Sequence, residues 1–152
     1  MDKVVGAAPA KSFLEAVKTV FIYKYFDFNG RASRSEYWWT VLVVFPLSLV
    51  VYSAFHEWWP DHSPESLISK DLVYFVVALP YVIPCLTLGV RRLHDIGRSG
   101  WWFVVFWILQ VMPLPEVSNV AVQFYFFALL VYFFVILWWL TRPGSPEENK
   151  WG

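Results

Sequence analysis

The sequence predicts an all-α protein, a four-span transmembrane helical bundle with an N-terminal amphipathic interfacial helix, in a single integral membrane domain over residues 1–152. Three observations predict it. Hydrophobic residues make up 58% of the chain and charged residues only 16%, so a soluble domain of this length would lack enough polar surface to cover itself. The apolar residues also fall into four runs, and the basic residues collect at the ends of those runs.

Charge excludes one class of function. The 12 Lys and Arg residues are balanced by 12 Asp and Glu residues, whereas a general nucleic-acid-binding protein would be strongly basic. We therefore expect no nucleic-acid partner. The single cysteine, Cys85, lies in an apolar run and is interpreted as a packing residue.

An amphipathic helix is predicted over residues 12–26. Ser12 and Glu15 have the spacing of a capping box, which begins a helix. We expect the helix to lie on the membrane surface, and the alternative is a helix packed against the protein itself. We expect no cleaved signal peptide, because no basic leader with an apolar core precedes the helix. One helical stripe carries Phe13, Val17, Val20, Phe21 and Lys24, and the other face carries Lys11, Glu15 and Lys18.

The first span is predicted over residues 37–55. Asn29-Gly30 is a turn signal, and Ser33 with Glu36 forms a second capping box directly before the apolar run. The run has the roughly 20-residue length that crosses the hydrocarbon layer. An acidic connector over residues 56–71 follows it.

The second span, over residues 72–90, contains Pro80 and Pro84. Each proline removes a backbone N–H donor, so we expect the helix to be kinked or locally unwound there. Such breaks line binding sites in some transporters. They also occur in ordinary membrane helices.

The third and fourth spans are predicted over residues 101–112 and 120–140. The third is short, because Pro113 and Pro115 end it. The fourth is rich in Phe and Tyr, and Trp138 and Trp139 are expected at the head-group level. Eleven of the twelve Lys and Arg residues then lie on one side of the membrane, which predicts cytoplasmic N and C termini.

Two charged blocks are expected to meet at this cytoplasmic face. Five of their residues are Arg and only two, Glu36 and Asp95, are acids, so the set carries a surplus of positive charge. We expect each acid to pair with an Arg of another segment. The candidates that offset the remaining Arg charge are anionic lipid head groups, a phosphate-bearing ligand, or the tail acids Glu147 and Glu148. The alternative is that the charges are only topology signals. The first block is residues 31–36 and the second is residues 91–98. The candidate ligand- or lipid-binding residues are Arg31, Arg34, Arg91, Arg92, His94 and Arg98, and the candidate structural ion-pair acids are Glu36 and Asp95.

Three segments resemble the signature blocks of the domain-of-unknown-function 805 family. They are G-R-A-S-R-S-E-Y-W at 30–38, R-R-L-H-D-I-G-R-S-G-W-W at 91–102 and P-G-S-P-E-E-N-K-W-G at 143–152. The resemblance implies a small, four-span bacterial inner-membrane protein. It implies no catalytic role. Glu147 and Glu148 make the tail more acidic than the family pattern suggests.

Three functions are compatible with these patterns. The leading hypothesis is a non-enzymatic membrane module that binds anionic lipid or a protein partner, and that self-associates through its aromatic spans. The second is a small channel or transporter with its site at Pro80 and Pro84, although the spans contain no Asp, Glu, Lys, Arg or His between their ends. The third is an enzyme acting on a lipid head group.

Catalytic and metal sites receive little support from the sequence. His94 and Asp95 are adjacent on a helix and point about 100° apart, which does not suit a catalytic pair. His56 and His62 lie in the outer connector without cysteine, a weak zinc pattern. We therefore expect no catalytic residue, no metal and no cofactor.

Overall fold

A computed structural model describes residues 7–58, 70–111 and 119–151, and within these ranges the chain is helical without strands. The all-α prediction is confirmed there. Most of the predicted outer connector (59–69) and the link after the third span (112–118) lie outside the described residues. The helices are α1 (Phe13–Lys18), continued by a π-helical turn (Thr19–Tyr23), α2 (Arg34–Trp58), α3 (Lys70–Asp95), α4 (Trp101–Val111) and α5 (Asn119–Thr141).

Three of these helices are long and apolar enough to cross a membrane. Their spanning segments are Arg34–Glu57, Val73–Asp95 and Val120–Thr141. The fourth apolar helix, α4, has 11 residues and is therefore about 16 Å long, roughly half the hydrocarbon thickness. The described residues thus contain three helices of spanning length and one shorter apolar helix.

The beginnings of α2 and α4 lie at the same end of the bundle as the ends of α3 and α5. The backbone N–H of Ala32 donates to Arg91 O at 3.0 Å, which places the start of α2 beside the end of α3. A buried apolar cluster joins α3, α4 and α5. Its buried members are Leu93, Phe103, Ile136, Trp139 and Leu140. We call the end of the bundle formed by residues 30–36, 91–98 and 139–151 the charged end.

The N-terminal helix packs against the protein. The backbone N–H and the hydroxyl of Ser12 both donate to Glu15 Oε2, at 3.0 and 2.8 Å, and lower the pKa of that carboxyl group. Ala16 and Val20 are fully buried. Part of the predicted lipid-facing stripe therefore faces the protein, as in the alternative that the sequence left open. The regular helix also ends at Tyr23 rather than residue 26.

The two prolines do not unwind α3, which is helical from Lys70 to Asp95. Pro84 has no N–H to donate to Pro80 O, its usual helical partner. The hydroxyl of Tyr25 donates to Pro80 O instead, at 2.9 Å. The N-terminal segment thus supplies the hydrogen bond that the proline removes.

This contact predicts that Tyr25→Phe will lower the free energy of unfolding by about 1 kcal/mol, the usual net worth of one hydrogen bond. In a Pro84→Ala background the helical N–H returns, so Tyr25→Phe should then be almost neutral. The measurement is a double-mutant cycle from unfolding in detergent. Tyr23→Phe is the control, because Tyr23 is highly exposed. Equal effects of Tyr25→Phe in both backgrounds would contradict the assignment.

Candidate anion-binding site at the charged end

Glu36 is buried in the first turn of α2, with 1% of its surface exposed. The backbone N–H of Glu36 donates to the hydroxyl oxygen of Ser33 at 3.3 Å, as in a helix cap. The carboxylate accepts a hydrogen bond from Arg91 Nη1 at 2.7 Å and pairs with Lys11 Nζ at 2.6 Å. Glu36 therefore joins the N-terminal segment, α2 and the end of α3.

Asp95 is equally buried, at the last residue of α3. A negative charge at a helix C terminus is unfavourable, so it needs donors from elsewhere. Arg31 Nε and the backbone N–H of Ala8 each donate to Oδ1 at 3.0 Å, and Arg92 Nη1 donates to Oδ2. Through these bonds Asp95 attaches the backbone at Ala8 and the side chain of Arg31, both of which precede α2, to the end of α3.

Arg92 has no exposed surface. Besides Asp95, it donates to Ala32 O at 3.4 Å and to Leu140 O at 3.2 Å, and also to Arg142 O. The carbonyl groups at the end of a helix have no donor within that helix. Arg92 therefore completes the C terminus of α5 and attaches it to α3.

The C-terminal tail folds onto the same cluster through its backbone. Ser145 N–H donates to Asp95 O at 2.7 Å, and Arg31 donates to Ser145 O and to Glu147 O. A Cβ atom on Gly144 would lie 2.3 Å from Asp95 Oδ2, so only glycine allows this close approach. Residues 144–147 of the tail therefore dock through main-chain atoms.

His94 takes part in tail docking rather than in a pair with Asp95. Its Nδ1 lies 3.3 Å from Gly30 O, and its ring stacks on Trp151 at 4.4 Å between centroids. Asn149 Nδ2 donates to His94 O at 3.0 Å. No group of three His, Cys, Asp or Glu side chains comes together as a metal site in the described ranges.

The buried cluster keeps a surplus of positive charge. Its two carboxylates face four basic side chains, Lys11, Arg31, Arg91 and Arg92. Arg91 has no exposed surface, and its Nε and Nη2 atoms have no hydrogen-bond partner among the described residues. Burial leaves Arg91 and Arg92 no face for a lipid head group, in contrast to what the sequence suggested for them.

The exposed arginines lie beside aromatic rings. Arg98 Cζ lies 4.8 Å from the centroid of the Trp139 ring, and Arg142 Cζ lies 4.6 Å from that of Trp138. Between the two arginines is a pocket of about 240 Å³. Its lining includes Ile96, Arg98, Trp139, Arg142 and residues 143–146. We call it the arginine pocket. Arg34 is exposed separately, in a shallow groove with Trp38 and Trp39.

Sequence reasoning did not include Lys11 or Arg142 in the site. The signal for Arg142 was present, because it follows Trp138 and Trp139 at a span end predicted on the same side of the membrane. Lys11 is 25 positions from Glu36, and nothing local to either residue indicates their pairing.

Comparison with known proteins identifies the family. A sequence model described as "Protein of unknown function (DUF805)" matches residues 25–152. The chain belongs to the DUF805 family. The match begins at Tyr25, whose hydroxyl donates to Pro80 O, and it includes both charged blocks and the C-terminal tail.

Relatives of this DUF805 protein include three from Escherichia coli strain K12. "Inner membrane protein YhaI" is 30% identical over 86 residues, which cover 55% of this chain and 64% of YhaI. "Inner membrane protein YhaH" is 25% identical over 130 residues, 84% of this chain and 86% of YhaH. "Uncharacterized protein YiiR" is 29% identical over 133 residues, 84% of each chain. No solved structure matches the DUF805 protein.

The buried cluster predicts that Asp95→Asn will destabilise the DUF805 protein by about 3 to 5 kcal/mol, because Arg31 and Arg92 would keep buried charge without a counter-ion. Asp27→Asn is the control, since the Asp27 side chain is 37% exposed and pairs with Lys24. Its effect should stay below about 1 kcal/mol. Thermal unfolding of both variants in the same detergent measures the difference. Equal shifts of the thermal midpoint in Asp95→Asn and Asp27→Asn would show that the Asp95 network contributes no more to stability than a surface ion pair.

Proposed function

We propose that this protein is a four-span inner-membrane protein, built as one membrane domain, that binds anionic lipid head groups in the arginine pocket on its cytoplasmic face. The observation that carries the proposal is the pair of exposed guanidinium groups, Arg98 and Arg142, on either side of a 240 Å³ pocket. Phosphate is the anion that suits this pair, because a guanidinium group can donate two parallel hydrogen bonds to it.

The aromatic partners of these arginines support binding at the head-group level. Tryptophan side chains concentrate at membrane interfaces, and Trp138 and Trp139 come at the end of α5. Stacking over a tryptophan ring holds each guanidinium group near the surface while its remaining N–H groups stay available. A basic pocket at the head-group level lies beside the phosphate groups of the lipids.

The distribution of charge supports the proposed orientation. Eleven of the twelve Lys and Arg residues lie in residues 1–34, in residues 91–98 or in the tail after α5, and cytoplasmic segments of bacterial membrane proteins carry such an excess. In this arrangement α4 belongs to the third crossing. Exposed apolar residues of the N-terminal segment, Leu14, Ile22, Tyr23 and Phe26, then contact the head-group region.

Two observations favour lipid binding over transport through the proline-containing helix. The carbonyl of Pro80 already accepts the Tyr25 hydroxyl, so it is occupied rather than available to a transported ion. Within the described parts of the predicted spans 37–55 and 72–90, and along α4 and α5, there is no Asp, Glu, Lys, Arg or His side chain.

The arginine pocket predicts that the double variant Arg98→Gln, Arg142→Gln will bind phosphatidylglycerol more weakly. Each basic residue near an anionic lipid surface is worth about 1 kcal/mol, so losing both should weaken binding roughly 30-fold. Native mass spectrometry of the detergent-solubilised protein, titrated with phosphatidylglycerol, measures this. Binding of uncharged phosphatidylcholine should not change.

The control removes the same two charges elsewhere, as Lys18→Gln with Lys150→Gln, both of which are exposed. This control should keep most of the wild-type affinity for phosphatidylglycerol. If the two double variants lose affinity equally, the protein attracts anionic lipid only through its overall charge, and the arginine pocket is not a site.

The proposed topology predicts the activity of alkaline phosphatase fused at four positions, since that enzyme is active only outside the cytoplasm. Fusions after Asp61 and Pro115 should be active, and fusions after Arg98 and at the C terminus should be inactive. A fusion to a cytoplasmic fluorescent reporter should give the opposite pattern. An inactive fusion after Pro115 would show that the segment from Trp101 does not cross the membrane.

A further inference from the structure

The C-terminal tail, residues 143–151, forms part of the arginine pocket. Residues 143–146 supply half of the lining, and the helical part of the protein supplies the other half with Ile96, Arg98, Trp139 and Arg142. The pocket therefore has its present shape only while the tail is docked at the charged end.

The two arginines of the pocket are positioned without the tail. The backbone N–H of Arg142 donates to Trp139 O at 3.2 Å, and its carbonyl group accepts a hydrogen bond from the buried Arg92. The backbone N–H of Arg98 donates to Leu93 O at 2.9 Å, at the end of α3. Departure of the tail would thus remove walls from the pocket but would leave the backbone of both arginines in place.

The tail is attached to the helices by few contacts. Among its described residues, 143–151, none is buried. A segment without buried apolar side chains opens at a much lower free energy than the helices that it covers. The tail can therefore leave the charged end while the helices stay folded. Its contacts include main-chain hydrogen bonds at Ser145, the bond from Asn149 to His94 O, and the stack of Trp151 on the His94 ring.

Ser145 gives the docked tail a donor that can contact an anion in the pocket. It is one of the lining residues, and its hydroxyl group donates to Glu147 O at 3.4 Å, which is long for an O–H···O hydrogen bond. An anion between Arg98 and Arg142 is a stronger acceptor, because hydrogen bonds to charged groups are shorter and stronger. The docked tail also excludes water from the pocket, which strengthens the attraction between the anion and the guanidinium groups. An anion thus has more favourable contacts when the tail is docked.

We propose that the C-terminal tail closes the arginine pocket: it supplies Ser145 as a third donor to the lipid phosphate, and the bound phosphate in turn holds the tail in place. This inference rests on the lipid-binding function proposed above and adds its regulation. Coupling between two equilibria is reciprocal. The factor by which tail docking raises the affinity for lipid must therefore equal the factor by which lipid favours tail docking.

Hydrogen exchange of the wild-type protein in detergent measures one side of this coupling. Saturating phosphatidylglycerol should slow amide exchange in residues 143–151 by about fivefold or more, the usual size of coupling between two sites. The double variant Arg98→Gln, Arg142→Gln is the control, and its tail should exchange at the same rate with and without the lipid. Uncharged phosphatidylcholine should slow exchange in neither protein.

Undocking the tail measures the other side of the coupling. The double variant Asn149→Ala, Trp151→Ala removes two tail contacts and keeps every residue of the pocket. It should speed exchange in the tail and weaken phosphatidylglycerol binding about fivefold or more in native mass spectrometry. Trp101→Ala is the matched control, because it removes a tryptophan at the start of α4 that is 71% exposed, and it should change neither quantity. Gly144→Ala is a second undocking variant, since its Cβ atom would lie 2.3 Å from Asp95 Oδ2.

Ser145→Ala tests the third donor. It keeps the backbone N–H that donates to Asp95 O, so the tail should stay docked. Loss of one hydrogen bond should weaken phosphatidylglycerol binding about twofold to tenfold. Thermal unfolding of every variant in the same detergent shows whether the helices remain folded.

Slower tail exchange with phosphatidylglycerol in the wild type, together with weaker binding by a folded variant whose tail exchanges faster, supports the proposal. Unchanged affinity in such a variant would overturn it, and so would a tail whose exchange does not respond to the lipid. In both cases weaker binding by Arg98→Gln, Arg142→Gln would leave the arginine pocket as a lipid site that the tail does not close. Equal affinity of that variant and the wild type would overturn the lipid-binding function itself, and this inference with it.

Discussion

The burial of two carboxylates among four basic side chains is the interaction on which the architecture depends. Glu36 and Asp95 each have about 1% of their surface exposed, and together they contact the N-terminal segment, the start of α2 and the end of α3. Removing such charges from water costs several kcal/mol per ion, which only close and complete pairing can offset. The pairing therefore restricts how these segments can be arranged. Apolar contacts between membrane helices alone would restrict them less, because lipid competes for the same surfaces.

Backbone groups that a helix cannot satisfy explain several of the other contacts. Arg92 donates to carbonyl groups at the end of α5, and Tyr25 donates to the carbonyl that Pro84 leaves without a partner. In hydrocarbon each such group must find a donor within the protein. The N-terminal segment thus contributes hydrogen bonds that α3 lacks by itself, and Arg92 on α3 does the same for the end of α5.

The arginines at the charged end fall into two groups, one buried and one exposed. Arg31, Arg91 and Arg92 are held inside by carboxylates and carbonyl groups, whereas Arg98 and Arg142 are exposed over tryptophan rings. The first group stabilises the arrangement of the helices. The second remains free to meet an anion, because ring stacking occupies one face of a guanidinium group and leaves its N–H edge accessible.

The amino-acid sequence is sufficient to predict the helical class, the approximate bounds of the apolar segments and the convergence of the charged blocks. These follow from composition, periodicity and the position of charge, which are local or additive properties of the chain. Helix packing, by contrast, sets which arginines are buried, pairs Lys11 with Glu36, and turns Val20 toward the protein rather than lipid. It also decides that Tyr25 satisfies Pro80. Lys11 and Glu36 are 25 positions apart, and Tyr25 and Pro80 are 55 positions apart, so these contacts depend on how the helices pack rather than on any local pattern.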